Sequence, residues 1–495
     1  MYNEFKQLFK LFKFFKFIRP IIRRALFSGA FRRIREQPPA DSSCPPTAVV
    51  RGPRKRLRPN DKKNYRGEKK MKDFEEMKQS LKKLITFPSV QEAPVGDKPF
   101  GEGVFAALDY FLNLAKSFGF ETINYDNYIG EVDFGEGKTE EDEIAILAHL
   151  DVVPAGDLSA WKYPPFQGTE ADDKIYGRGT TDDKGPAMVC LYCMKELKDE
   201  GFVPNKKIRL ILGCNEETGW KCIEHFRKVS RFPDYGFSPD ADFPVIYAEK
   251  GILHAKFTFK ALSSELKELS GGERINVVCD KCEAIAPLNP DLMYDCQVKR
   301  EHDKLVARGV QAHGSTPEKG DNAIYKMVKY LEKIGMIDSR IREYLFEDKL
   351  GLKELHDETG YLTMSPDVVT MDGDNINISV DFRYPSLLNG EKLIEALKLI
   401  APVEILSHQL PLFNDKQGFL VTTLLNVYNE ETGENKQPIA IGGGTYARAL
   451  KYGTAFGPEE EGVDCHIHQP NEFVSIKNLE LQCKIYKRAI KELSK

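Results

Sequence analysis

Residues 144–154 read IAILAHLDVVP, and the rest of the chain is best understood outward from them. Ile144 to Ala148 is a short, uninterrupted apolar run, the pattern of a buried strand. Alternation along a strand puts His149 and Asp151 on one face, just where the apolar run stops. An imidazole beside a carboxylate suits a metal ion: the histidine ligates, and the carboxylate orients it or a bound water. A strand that simply ends in polar residues at the surface has the same local look. The other polar clusters of the chain decide between the two readings.

The first is Tyr176-Gly-Arg-Gly-Thr-Thr-Asp182-Asp183-Lys184-Gly-Pro186, a glycine-rich turn that opens a helix expected over about 186–200. Adjacent aspartates call for a cation or hydrogen-bond donors nearby, although an aspartate capping the helix is the competing reading. Next, Ile208 to Cys214 is a second apolar run, closed by Asn215-Glu216-Glu217-Thr-Gly219. Paired glutamates can divide labour, one holding metal while the other moves protons with a tuned pKa. Ser238-Pro-Asp240-Ala-Asp242 adds carboxylates, and Asp464-Cys-His466-Ile-His468 adds late histidines. Together the five clusters indicate an oxygen-rich metal site with two histidines. Two-metal hydrolysis needs such a set: a bridging carboxylate, end-on ligands for ions roughly 3.5–4 Å apart, and a carboxylate outside the ligand set to handle the proton. Histidine and carboxylate ligands without cysteine suit Zn²⁺, with Mn²⁺ or Co²⁺ as alternatives.

Helix and strand patterns alternate from about residue 75. Amphipathic stretches at Phe74–Ile85 and Val104–Phe118 precede the strand-like runs, so the expected fold class is α/β, a central mixed sheet flanked by helices with ligands at strand ends. After Gly251 the texture changes. A strand (Leu253–Phe259), a helix (Asn322–Ile334), a strand (Ile376–Phe382), a helix (Glu391–Ile400) and a strand (Val403–Pro411) suggest an inserted α+β lid over 252–413. The catalytic domain is then expected over 71–251 and 414–495.

The strings HLDVVPAGD, YGRGTTDDKGP, NEETG, SPDADFPVIYAEKG, GGERIN, AHGSTPEKGDNA, ISVDFRYP, GGGTYARAL and HQPNE resemble the M20 metallopeptidases, and within them the PepV-like bacterial dipeptidases. They run in family order over roughly 85% of the chain, from about residue 75 to its last residue. The resemblance implies a zinc-peptidase-like catalytic domain with a lid. It implies His149 and Asp240 on one metal, Glu217 and His468 on the other, and Asp182 as the bridge. It also implies that Asp151 steers His149, that Glu216 is general base and then acid, and that the Asp182–Asp183 peptide is cis. His313, from the lid, would stabilise the oxyanion of the tetrahedral intermediate. Asn276, Arg383 and the turn at Gly443 and Gly444 would hold the substrate carboxylate, with Arg383 its ionic partner. On pattern alone Arg383 also reads as a solvated strand residue, and His313 as a histidine flanking a helix. The family places its late ligand just before Gln-Pro-Asn-Glu, which selects His468 and leaves His466 unassigned. The enlarged lid implies a monomer that supplies contacts smaller relatives borrow from a partner subunit.

Composition fits an enzyme: 495 residues, 41% hydrophobic and 29% charged, with a net charge of −4 that announces no nucleic-acid partner. The ten cysteines form no secreted framework, and several lie in apolar runs, which fits a reducing cytoplasm. Cys190/Cys193 and Cys279/Cys282 have knuckle spacing but belong to a helix and to a segment of the other expected domain, so a Cys₄ zinc site is rejected. Charge is uneven. Residues 1–70 hold 20 Lys and Arg against 5 Asp and Glu, a balance of +15 that leaves −19 on the remainder. Residues 1–36 have the make-up of a basic amphipathic helix, too interrupted by charge to span a membrane, and 37–70 the make-up of a disordered linker. The family lacks such an extension, and Met71 opens a family-like start, so 1–70 are read as mistranslated upstream sequence, with a membrane or nucleic-acid tether as the alternative.

The expectation is therefore a cytoplasmic, monomeric, two-zinc dipeptidase that hydrolyses unblocked dipeptides by hydroxide attack, with no stable membrane association of 71–495. The alternatives are an N-acyl amino acid deacylase using the same metals and, from another class, a non-catalytic membrane-tethered metal-binding protein.

Overall fold

The structure is a computed structural model that describes residues 71–137 and 139–495. The expectations for residues 1–70 lie outside the described residues.

Two sheets carry the architecture. The first has nine strands, and Glu143–His149 lies inside it, parallel to Lys207–Gly213 on one side and to Tyr235–Ser238 on the other. Ile129–Phe134 and Glu121–Tyr125 continue the sheet antiparallel beyond Lys207–Gly213, while Tyr452–Ala455 runs parallel beside Tyr235–Ser238. The sheet is mixed, as the sequence suggests. Ile144 to Ala148 are at most 1% exposed, so the apolar run is buried as its composition demands. Helix Lys184–Asp199 is buried along its first three turns and packs between Phe74–Ile85 and Ile476–Leu493. Phe74, Met77, Leu81 and Leu84 form the inward stripe of Phe74–Ile85 at helical spacing.

The second sheet has eight strands, all antiparallel, with a hydrophobic core of its own built from residues 253–401. Its long strands Gly251–Lys260 and Asn375–Tyr384 alternate. Leu253, Ala255, Phe257 and Phe259 face this core, as do Ile376, Ile378, Val380 and Phe382. Helix Ala323–Lys333 packs against the sheet, with Asn322 accepting from the backbone N–H groups of Ile324 and Tyr325 at its N-terminus. Residues 265–308 supply most of one flank of this sheet, comprising Glu268–Gly271, Lys281–Ile285, Val298–Glu301 and Lys304–Arg308. Strand Thr363–Asp372 has no counterpart in the sequence pattern. Pro366 and the bulge at Pro366/Val368 break its alternation, which is why no strand pattern is visible there. Cys190 and Cys193 sit in the first core, Cys279 and Cys282 in the second. No helix of the described residues is long and apolar enough to cross a membrane.

Candidate metal centre

His149 ends the inner strand of the first sheet, wholly buried. Its Nδ1 lies 3.0 Å from the carbonyl oxygen of Asp151 and 3.6 Å from that residue's Oδ1. Donation from Nδ1 leaves Nε2 as the lone-pair nitrogen, and it points to Asp182 Oδ1 at 2.9 Å and Asp240 Oδ2 at 3.7 Å. The Asp151 carboxylate has a second duty, accepting from the backbone N–H of Glu216 at 3.0 Å and of Glu217 at 3.1 Å. It thus ties the ends of two neighbouring strands together.

Asp182 comes from the glycine-rich turn, and a buried carboxylate holds that turn in shape. Glu472 accepts from the backbone N–H of Gly179 at 3.0 Å and Thr181 at 3.1 Å, and from Arg178 Nη1 at 2.6 Å. Gly179 has φ +90°, and a side chain there would press on Val152 and Lys184, so glycine is required. The Asp182–Asp183 peptide is cis. Asp183 accepts from the His149 backbone N–H at 3.1 Å, docking the turn on the strand. From the far end of the chain, His468 places Nε2 at 2.9 Å from Asp182 Oδ2 and 3.2 Å from Glu217 Oε1. His466 instead packs near Phe473, its backbone N–H bonded to Asp464. Five of the residues named from sequence, His149, Asp182, Glu217, Asp240 and His468, therefore converge, and each oxygen of Asp182 faces a different imidazole.

Glu216 stands beside this group without joining it. Trp220 Nε1 donates to its Oε1 at 3.0 Å, and burial holds its carboxyl well above the usual carboxylate range. Burial likewise pushes Asp240 up to about 7. Burial opposes ionisation of Asp182 too, but the imidazoles of His149 and His468, each 2.9 Å from one of its oxygens, hold its carboxyl well below the usual range. His468 is pushed up to about 11 against its own burial by Asp182 and Glu217. The site is a concentrated negative field. His149 Nε2 and Asp182 Oδ1 are buried, 2.9 Å apart, and neither has a hydrogen-bond partner among the described residues. Orphaned ligand atoms converging in such a field fit divalent cations, and His149, Asp182 and Glu217 alone offer three donor atoms within 4.8 Å of one another.

The other named residues lie elsewhere. Asn276, His313 and Arg383 belong to the second sheet and its loops, where the isolated bridge Val277–His313 brings the first two segments together. Ser315 N–H donates to His313 Nδ1 at 3.2 Å, so the ring proton sits on Nε2, free to donate outward. Burial first, then the Arg383 charge, lowers the His313 pKa, with Asp381 acting against them and His468 adding to the lowering. Arg383 is 5% exposed rather than solvated, its Nε donating to Asp381 at 2.9 Å. No hydrogen bond or ion pair among the described residues joins Asn276, His313 or Arg383 to the five clustered side chains. Gly443 and Gly444 form a turn held by Arg448, which donates to Gly443 O at 2.9 Å and to Glu249 at 2.5 Å.

Several supporting groups escaped the sequence reading. Glu472, Arg178, Glu249 and Arg448 all lie inside strings quoted for the resemblance, yet nothing local distinguishes a buried template carboxylate from a surface one. Asp381 and His254 alternate along strands and read as a solvent face, while Asp367 lies where no strand pattern is visible. In the structure the two aspartates are buried: Asp381 bonds Arg383 and lies 3.5 Å from the half-buried His254, while Asp367 accepts the Asn276 N–H at 2.8 Å.

Residues 145–492 match the model of peptidase family M20/M25/M40. The chain is 34% identical to "Putative dipeptidase YtjP" of Bacillus subtilis, over 80% of this chain and 92% of that one. It is 33% identical to a "Putative dipeptidase" of Staphylococcus epidermidis, over 86% of this chain and 98% of that one. Among solved structures, human carnosine dipeptidase 1 superposes with a TM-score of 0.54 at 15% identity, covering 85% of this chain and 96% of that one. Yeast Dug1p, described as a di-peptidase, gives 0.52 at 15% identity, over 85% and 96%. At such identity these two likenesses concern the fold.

Proposed function

The chain belongs to peptidase family M20/M25/M40, and from that premise we propose that it is a metal-dependent dipeptidase acting on unblocked dipeptides. The observation that carries the reading is Asp182, whose two oxygens each stand 2.9 Å from a different imidazole, the arrangement a bridging carboxylate takes between two ions. In this proposal His149 and Asp240 hold one ion, Glu217 and His468 the other, with Zn²⁺ the first choice and Mn²⁺ or Co²⁺ alternatives.

Bound divalent ions would supply Lewis-acid activation of water and of the scissile carbonyl. The chain's residues supply the rest. Glu216, hydrogen-bonded to Trp220, takes the proton of the attacking water and returns it to the leaving nitrogen; its raised pKa suits both directions. His313 offers its Nε2 proton to the developing oxyanion. Arg383, fixed through Nε by Asp381, turns its remaining guanidinium nitrogens to the peptide's α-carboxylate, with Asn276 and the Gly443–Gly444 turn beside it. Recognition of that carboxylate limits the substrate to short peptides. We assign catalysis to 71–251 and 414–495 and the lid to 252–413, in a cytoplasmic monomer whose partners are small peptides rather than nucleic acid or membrane.

An N-acyl amino acid deacylase is the second reading, since the same machinery would serve another amide; the names of the sequence relatives favour the dipeptidase. A panel of free dipeptides and matching N-acetyl amino acids, run with and without chelator, tests the choice. Chelator-sensitive cleavage of the free dipeptides alone is expected. Cleavage of the acetylated compounds alone would move the function to deacylation.

A further inference from the structure

Lys250 is a buried lysine that none of the roles above uses. It is 6% exposed and lies between the last strand residue of the first sheet that it follows, Glu249, and the first of the second, Gly251. Its Nζ donates to the Tyr361 carbonyl at 2.5 Å, and no carboxylate oxygen stands within 4.0 Å of it among the described residues. Asp357 and Glu318 act on it only at longer range, and Arg383 opposes its charge. The Asp357 carboxylate is already engaged by Thr359, Ser386 and Leu387. Burial lowers the Lys250 pKa, so the ammonium is held at a cost that its one carbonyl contact does not offset.

Its position shows what would offset that cost. Ile252 pairs across the sheet with Arg383, so the two share a face, and alternation sets residue 250 in line with them. The Gly442–Gly444 turn lies over that same face. A Cβ built on Gly444 would meet Ile252 at 2.9 Å, and one on Gly442 would come within 3.8 Å of Lys250 Nζ. On the next strand Thr363 pairs with Arg383, and its buried Oγ1 has no hydrogen-bond partner. A cation without a counter-ion, an orphaned hydroxyl and a glycine turn thus lie on the face that carries Arg383.

We propose that Lys250 is a second cation of the substrate site, the counter-ion of a carboxylate at the C-terminal end of the bound peptide. This rests on the dipeptidase reading, and it deepens that reading by naming a residue that sets substrate charge. The carboxylate is either the α-carboxylate, shared with Arg383, or the acidic side chain of a C-terminal aspartate or glutamate.

The test is steady-state kinetics on Ala-Ala, Ala-Gln and Ala-Glu with metal-loaded wild type, Lys250→Met and Lys250→Arg. Methionine keeps the packing of the stem and arginine keeps the charge; thermal melting and metal content of each variant guard against misfolding. Lys250→Met is expected to raise KM by about tenfold or more, the size of one charge-assisted contact, with kcat changed by less than about threefold. Lys250→Arg is expected to recover most of the loss. A loss shared by all three substrates identifies the α-carboxylate, and a loss confined to Ala-Glu identifies the side chain. Unchanged KM for all three, or a fall in kcat at constant KM, would overturn the proposal. Failure of the wild type to cleave any of them would instead overturn the dipeptidase reading.

Discussion

At the scale of single residues, Glu472 shows how much of this site is support. It is fully buried, pairs with Arg178, and accepts backbone hydrogen bonds from the turn that carries Asp182. Glu472→Ala leaves the Arg178 charge buried and unpaired, so a loss of about 3–5 kcal/mol in stability is expected by denaturant titration, together with reduced metal content. Glu472→Gln keeps an acceptor for the backbone groups and should lose less. His149, Asp182 and Glu217 were legible in the sequence as polar ends of apolar runs or of a glycine turn, whereas the assignment of His149, Asp240, Glu217 and His468 to two ions came only from the family resemblance. Glu472 and Glu249 were not legible, because burial of a carboxylate far from its partners in sequence leaves no local trace, and Asp381, two residues from Arg383, reads as part of a solvent face. Asp151 illustrates an intermediate case. Its neighbourhood to His149 is visible in the alternation, but its grip on the Glu216 and Glu217 backbone depends on strand order, which alternation does not give.

At the scale of elements, capping and burial give two predictions. Asn322 caps helix Ala323–Lys333 and donates from Nδ2 to Pro366 O, tying that helix to strand Thr363–Asp372. Asn322→Ala should cost about 1 kcal/mol or more of stability in urea. On the same strand Asp367 is fully buried, and burial pushes its pKa up to about 7, with Ser365 and the Asn276 N–H acting against it. Its folded pKa lies above its unfolded one, so the folded state binds more protons and this contribution is full below about pH 4, then lost as pH rises through about 7. Relative to Asp367→Asn, the wild type should therefore lose stability between pH 5 and pH 8, which paired urea titrations would read; an equal pH slope in both proteins would contradict it. The long alternating strands and amphipathic helices were legible because one face of each is apolar. Short strands such as Lys281–Ile285 and Val298–Glu301 were not, being rich in Lys and Glu and held by neighbours distant in sequence.

At the scale of the whole molecule, the two sheets each bury their own core, and the candidate centre is built entirely from the first and its flanking loops. Ions bound in the folded state alone stabilise it by mass action, so chelation should lower the melting temperature of the loaded protein; about 4 kcal/mol is at stake when free metal is a thousandfold above its Kd. Every residue assigned a role lies within 71–495. A chain of 71–495 should accordingly match 1–495 in kcat/KM within about twofold, whereas a large loss would give residues 1–70 a part in catalysis. Fold class was legible because buried strands, helical stripes and polar strand ends occur in one consistent order. The relation between the two sheets was not, since it depends on contacts such as Lys250 to Tyr361 that join segments about a hundred residues apart. The central claim is that this cluster is a hydrolytic metal centre with Glu216 as its base. Turnover of a free dipeptide by Glu216→Gln, with metal content measured on the same sample, tests it most directly. Retained metal with kcat down by about a thousandfold or more is the predicted result, and near-wild-type turnover would contradict it.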